Sequence, residues 1–572
     1  MESKFKIILA LGLSGIIITS VILIVVFLPS PQGSPGTSFS VSIPNLTIDA
    51  SKPASNRTIN ISRYVSPALP SSQISVSTNY TSAPWNSRIS IMGTNLTFQT
   101  FNFPTNGYYS INITVTYQGV SIDDEVIILL TGKNTWTWVS GNYSVDNKGT
   151  YGTKGVADAA NVPGARSYST SWTDASGNFW LFGGYGYDNI SSTKGRLNDL
   201  WMFNVRDSTW TWMSGNYSVD NYGTYGMKGV ADAANVPGAR SSPTSWTDAS
   251  GNFWLFGGYG YDNGSVGTGE LNDLWMFNVS DSAWTWMSGD YSINNLGIYG
   301  TKGVADALNV PGARTYSTFC TDVKGNFWLF GGYGYVNVSL VMGQLNDLWM
   351  FNVSDSTWTW VSGNYSVDNK GTYGTKGMAD ALNVPGSRNH GSSWTDTDGN
   401  FWLFGGEGYA NSSVIFGGLN DLWMFNVSAS IWTWMSGNYS VNNNGAYGTK
   451  GVADAANVPG ARCGSISWTD VGSNLWLFGG DGIDNASDDG YLNDLWMFNV
   501  SDSTWTWVSG NYSVDNKGTY GTKGVADAVN IPGARQNSAI WMDASGNLWL
   551  FGGNGYDNEI YGYLNDLWKY TP

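Results

Sequence analysis

Arginines and aspartates recur along this 572-residue chain at a spacing that invites a chemical reading. Arg166, Arg240, Arg314, Arg388, Arg462 and Arg535 each close a PGAR or PGSR tetrapeptide, at intervals of 74, 74, 74, 74 and 73 residues. An LND tripeptide follows each one and contributes Asp199, Asp273, Asp347, Asp421, Asp494 and Asp566. A guanidinium and a carboxylate supplied once per copy can pair in a fork. Because all copies carry them, the twelve residues read as anchors of the repeat rather than as a reactive centre. Groups for catalysis are scarce. The only histidine is His390, and the two cysteines, Cys320 and Cys463, stand two copies apart at different offsets from their arginines. A disulfide needs Cα atoms within about 7 Å, so these two are expected to be buried thiols. A catalytic zinc site would normally use more His or Cys than this. Paired carboxylates for glycoside hydrolysis would have to come from Glu270, Glu407, Glu559 and loop aspartates. The loop DGIDNASDDG offers Asp481, Asp484, Asp488 and Asp489 as candidate calcium ligands, since hard cations gather several oxygens. It occurs in one copy and lacks a recognised spacing. The expectation is no catalytic residue and no cofactor, with calcium as the one candidate metal.

These residues must be positioned by strands. Each copy holds four runs rich in β-branched and aromatic residues and ended by Gly, Asn, Asp or Ser: RSYSTSW, NFWLFGG, LNDLWMFNV and WTWMSG. They predict a four-stranded antiparallel blade, with DASGN as a β-hairpin turn. Strict alternation would put Arg166, Tyr168, Thr170 and Trp172 on one face of the first strand. In the third copy Phe319 reads as the replacement for that Trp. The fourth-strand WTW first appears at Trp136, before the first PGAR, whereas the last copy stops at Pro572 without one. An outer strand at 135–140 would therefore complete the last blade and close a ring of six, leaving only short, protected edges. Tryptophans at fixed strand positions read as packing between blades, because each can bury about 150–250 Å².

The Arg opening the first strand, the Gly183-Gly184 pair ending the second, LND-L-W in the third and the Trp of the fourth resemble the kelch family of β-propellers, in the long-repeat form of microbial surface proteins. The resemblance covers about residues 133–572 and implies a six-bladed propeller. The departure is length: kelch repeats run near 50 residues, and here the surplus lies in the link SGNYSVDNKGTYGTKGVADAANVPGAR. Galactose oxidase shares this fold type but needs several histidine ligands and a cysteine joined to a tyrosine, which one histidine cannot supply. The turn TDASGNFW differs from a sialidase Asp-box by one extra residue between Asp174 and Gly177.

Residues 1–6 carry Lys4 and Lys6, and 7–28 is a 22-residue run without charge, long enough to span about 30 Å of hydrocarbon. It reads as an uncleaved signal anchor with the N-terminus in the cytoplasm and the bulk extracellular. Residues 29–37 read as a linker. Residues 38–132 hold about seven short alternating runs, which suggest an immunoglobulin-like β-sandwich; its end, FPTNGYYSINITVTYQGVSIDDEVIILL, resembles the last hairpin of a PKD-type domain. The predicted class is thus all-β, with one transmembrane helix ahead of a sandwich and a propeller. With 27 basic against 43 acidic residues the net charge is −16, which argues against nucleic acid and anionic membrane surfaces as partners. About twenty N-x-S/T sequons recur, including Asn142, Asn216, Asn278, Asn352, Asn364, Asn426, Asn438, Asn499 and Asn511, which are glycosylation candidates on a secreted surface.

Specific contacts are best sought where copies differ. The loops between second and third strands vary most, from YDNISSTKGRLND to IDNASDDGYLND, and emerge on the same face as the long links. The sequence therefore predicts a membrane-anchored, non-catalytic recognition or adhesion protein that engages a glycan or protein through its loop-rich face. The alternatives are a structural envelope spacer without a ligand and, further off, a carbohydrate-active enzyme.

Overall fold

The computed structural model describes residues 134–572, apart from the loop tips 191–192, 265–266, 338–340 and 412–415, together with the strands lying between residues 40 and 131. The predicted anchor at 7–28 lies outside the described residues. Among those described, no helix is long and apolar enough to cross a membrane.

The chain divides into residues 1–133 and residues 134–572. In the first unit, Gly107–Tyr117 and Val120–Thr131 form a long antiparallel hairpin. Ile74–Asn79 pairs with one side of it, and Leu46–Asp49 runs parallel to the other. Arg57–Asn60, Asn95–Phe98 and Ile89–Met92 make a second sheet, and Ser40–Val41 pairs with Val65–Ser66.

The second unit is a ring of six blades. In the first blade Arg166–Ser167 and Thr170–Thr173 form the innermost strand, followed outward by Phe179–Gly186, Gly195–Asn204 and Thr209–Ser214, all antiparallel. The sixth blade takes its outermost strand from the front of the unit: Thr135–Ser140 runs antiparallel to Tyr561–Thr571, with Trp136 opposite Tyr570 and Trp138 opposite Trp568.

The innermost strand does not alternate along its length, which corrects the expectation that Arg166, Tyr168, Thr170 and Trp172 share a face. Tyr168 lies at φ 60°, in the left-handed region, and splits the strand in two. The second strand bulges to match, between Phe182 and Gly184. Gly183 and Gly184, at φ 63° and 100°, permit this. A Cβ on Gly184 would lie 2.3 Å from Ser169 Oγ, and one on Gly183 would lie 3.0 Å from the Arg240 carbonyl of the next blade.

The core sits between blades. Trp172 of the first blade stacks on Phe253 of the second at 3.7 Å between ring centres. Phe179 of the first stacks on Trp541 of the sixth, so packing closes the ring as the strands do. In the third blade Cys320, not Phe319, occupies the Trp position: it is buried and lies opposite Trp328 as Trp172 lies opposite Trp180. Phe319 is 38 % exposed.

The surplus link residues cover edges. After leaving one blade, the link runs along the outermost strand of the next, where Gly155 N–H donates to the Trp212 carbonyl and Asn161 Nδ2 to the Trp210 carbonyl. In the fifth blade the link forms a short strand there, Ala453–Asp454. Lys154 Nζ lies 4.4 Å from the centre of the Trp212 ring and donates to the Gly215 carbonyl. The longer repeat thus hides the backbone edge that a shorter one would leave open.

Candidate functional site

Two kinds of polar centre stand out in the propeller. The first is repeated in every blade. Arg166 donates from Nη1 and Nη2 to the two oxygens of Asp199, both at 2.7 Å, and its remaining donors reach the Gly164 and Gly183 carbonyls. Asp199 also accepts from Trp201 Nε1 at 2.7 Å and from the hydroxyl of Tyr151, a link residue. Arg240–Asp273, Arg314–Asp347, Arg388–Asp421, Arg462–Asp494 and Arg535–Asp566 repeat the arrangement, each side chain at most 1 % exposed. Burial, then the neighbouring Asp199 charge, pushes the Tyr151 hydroxyl well above its ordinary range, so it stays a donor. With its donors and acceptors occupied and no water access, this centre ties link, innermost strand and third strand together.

The second centre surrounds the axis and differs from blade to blade. The left-handed residue of each innermost strand is Tyr168, Ser242, Tyr316, His390, Gly464 or Asn537. Their backbones form a closed ring: Ser242 N–H donates to the Tyr168 carbonyl, Tyr316 to Ser242, His390 to Tyr316, Gly464 to His390, Asn537 to Gly464 and Tyr168 to Asn537. His390 packs on Tyr316 at 3.6 Å between ring centres, and Tyr168 lies 5.7 Å from Tyr316 and 5.8 Å from His390. Burial drives the His390 imidazole down to about 3, so it is neutral.

At the axial end where second strands finish and third strands begin, the residue after the glycine pair is Tyr185, Tyr259, Tyr333, Glu407, Asp481 or Asn554. Its partner on the third strand is Arg196, Glu270, Gln344, Gly418, Tyr491 or Tyr563 respectively. Tyr185, Arg196, Tyr259, Glu270 and Tyr333 of the first three blades and Tyr563 of the sixth, with Tyr168 and Tyr316, line a cavity of about 450 Å³. The Arg196 guanidinium lies over Tyr259 at 4.3 Å, and Lys194 over Tyr563 at 4.5 Å. Glu270 is 3 % exposed, and burial, opposed by the Arg196 charge, raises its carboxyl to about 8. Two further acids lie elsewhere around the mouth: burial, then Asp489, raises Asp481 to about 6, and burial raises Glu407. Between the fifth and sixth blades Tyr491 and Tyr561 stack at 5.3 Å and share a hydrogen bond of 3.0 Å.

The four aspartates named for calcium are not gathered into one site. Asp484 is buried and spends Oδ1 on the backbone N–H groups of Ala486 and Asp488. Among the described residues no three His, Cys, Asp or Glu side chains are arranged to hold a metal ion. Both cysteines are free; Cys320 is buried and Cys463 half-buried near the mouth. The sequons fall into two settings. Asn142, Asn216, Asn364, Asn438 and Asn511 are exposed just after outermost strands. Asn278, Asn352, Asn426 and Asn499 are half-buried at the opposite face, where their side-chain oxygens cap turns.

No family model matches the chain. Among curated proteins it is similar to Tip elongation aberrant protein 1 of Schizosaccharomyces pombe, 27 % identical over 172 residues. The match covers 28 % of this chain and spans only 12 % of that relative's length. Similar solved structures include YjhT, with 12 % identity and TM-score 0.41 over 71 % of this chain and 95 % of that one. A structural genomics protein of unknown function from Bacteroides thetaiotaomicron has 10 % identity and TM-score 0.43 over 94 % and 99 %. A fungal alcohol oxidase of the AA5 family in complex with copper has 12 % identity and TM-score 0.37 over 74 % and 76 %. With the last blade completed by the strand at Thr135–Ser140, residues 134–572 form a six-bladed β-propeller whose repeats resemble those of the kelch family.

Proposed function

We propose that this chain is a non-catalytic recognition protein of the cell surface, whose propeller binds a protein or glycan through the axial mouth and the loops around it. One observation carries the reading. Six blades repeat the same buried ion pair and the same link, yet around the mouth they present Tyr185, Tyr259, Tyr333, Glu407, Asp481 and Asn554 at one equivalent position. A scaffold that serves only as a spacer has no use for that divergence. The uncharged run at 7–28 would anchor the chain, and residues 38–132, as an immunoglobulin-like stalk, would hold the propeller away from the bilayer. The exposed sequons Asn142, Asn216, Asn364, Asn438 and Asn511 would carry glycans around the outer rim.

The test is attachment of purified residues 35–572 to intact cells and to a glycan array, with and without calcium. Exchanging the second-to-third loops among blades is expected to abolish a saturable signal while the melting curve stays unchanged. Attachment indifferent to the exchange would favour the envelope spacer. A second reading, a carbohydrate-active enzyme, draws on Glu407 and Asp481, carboxyls on adjacent blades that are both raised above their ordinary range. Turnover of a glycoside that stops in Asp481→Asn would establish it.

A further inference from the structure

We infer that the cavity between the first three blades is a binding site for a single sugar unit, held by Arg196 and Glu270. This rests on the recognition reading and narrows it to a ligand class.

Tyr168 and Tyr316, whose backbones belong to the ring of hydrogen bonds around the axis, line the cavity, and His390 packs on Tyr316. About 450 Å³ is at the small end for a ligand pocket. A cavity of that size has room for a single sugar unit.

Two of its polar atoms are buried and have no hydrogen-bond partner: Nε of Arg196 and Oε2 of Glu270. Leaving such atoms unmatched is costly, and more so when they are charged. The repeated indole nitrogens of Trp136, Trp210, Trp284, Trp358, Trp432 and Trp505 are also without partners, but they are neutral and packed in the core, whereas Arg196 and Glu270 are ionisable groups that line a cavity. Arg196 and Glu270 occupy the same third-strand position on adjacent blades, and neither recurs there in any other blade. The guanidinium can only donate, while an ionised carboxylate can only accept. A hydroxyl satisfies both together, since its oxygen accepts from Arg196 and its proton goes to Glu270. A neutral Glu270 can instead donate to a second hydroxyl. Ligands that present hydroxyls side by side on a carbon ring are sugars, and Tyr333 offers ring surface for the skeleton, while the Tyr185 and Tyr563 rings lie beside Arg196 and Lys194. A cationic ligand is disfavoured because Arg196 already covers Tyr259 at 4.3 Å.

Saturation-transfer NMR on the purified full chain would use glucose, galactose, mannose, N-acetylglucosamine and glucuronate, with a tryptic peptide mixture as the competing class. The expected result is saturation of ring protons of at least one sugar, with affinity reduced at least tenfold in Arg196→Ala and in Glu270→Ala and partly restored in Glu270→Gln. Asp281→Asn, in an exposed turn on the opposite face, is expected to bind as wild type. Arg196 is half-exposed, so its variant remains informative if Glu270→Ala fails to fold. The inference is overturned by no saturation of any sugar, by saturation that survives both alanine variants, or by saturation of peptides alone. Cell attachment unaffected by Arg196→Ala would overturn this site while leaving the recognition reading standing.

Discussion

The buried ion pair of each blade and the axial mouth are built on the same third strand, a few residues apart, and obey opposite rules. Asp199 and its five counterparts never vary, and their carboxylates are fully engaged. Arg196, Glu270, Gln344, Gly418, Tyr491 and Tyr563 stand three residues earlier, range from cation to anion to glycine to phenol, and include atoms left without partners. Repetition in this protein marks what a blade needs to exist. Divergence marks where a blade is free to face something else.

Substitutions on the two sides of that divide should separate widely in stability. Asp199→Ala would leave the Arg166 guanidinium buried and unpaired, and about 3–5 kcal/mol should be lost in chemical denaturation. Tyr151→Phe removes one donor from the same carboxylate and should cost about 1–3 kcal/mol; a cost as large as that of Asp199→Ala would show that the link, not the ion pair, holds the blade. Lys154→Met gives up the contact over Trp212 and should cost about 0.5–1 kcal/mol. Tyr185→Ser, at the mouth, should stay within about 0.5 kcal/mol of wild type. A larger loss there would erase the distinction between building and binding positions.

Titration sharpens the same contrast, because two buried groups near the axis pull in opposite directions. Glu270 has a folded value of about 8 against an ordinary 4.5, so the unfolded chain releases its proton first. Its contribution to stability is whole below pH 4.5 and is lost as pH rises through about 8. Glu270→Gln should therefore flatten the stability profile across that window. His390, at about 3 against 6.5, contributes fully above pH 6.5 and loses its share as pH falls towards 3. Thermal melts from pH 3 to 9 of wild type, Glu270→Gln and His390→Gln would resolve the two slopes.

Much of this was legible in the chain. The period, the four runs per copy and the WTW at Trp136 predict blades and closure, since strand alternation and turn residues are local signals. The kink at Tyr168 was not. A tyrosine at positive φ contradicts local preference and is imposed by hydrogen bonds from neighbouring blades; the only hints were Gly464 at the equivalent position and the paired glycines opposite. Reading Phe319 as the missing Trp was an error of one residue, which counting six from Arg314 to Cys320 avoids. Tyr151 recurs in every link, but a link has no periodicity to say where a side chain points. Glu270 appears in one blade alone, and nothing short of three-dimensional placement brings it and Arg196 of the adjacent blade to one cavity.

The clasp between Thr135–Ser140 and Tyr561–Thr571 has a mechanical consequence. A pull on the chain from its N-terminal side enters the propeller at the clasp, before any complete blade is loaded. The strand made first in this unit waits for the strand made last, and the ring stays open until more than four hundred residues have emerged. Under tension the order reverses. The clasp strand should tear away first, as a distinct early event in single-molecule stretching, and a disulfide set across the half-buried partners Thr137 and Lys569 should abolish that event.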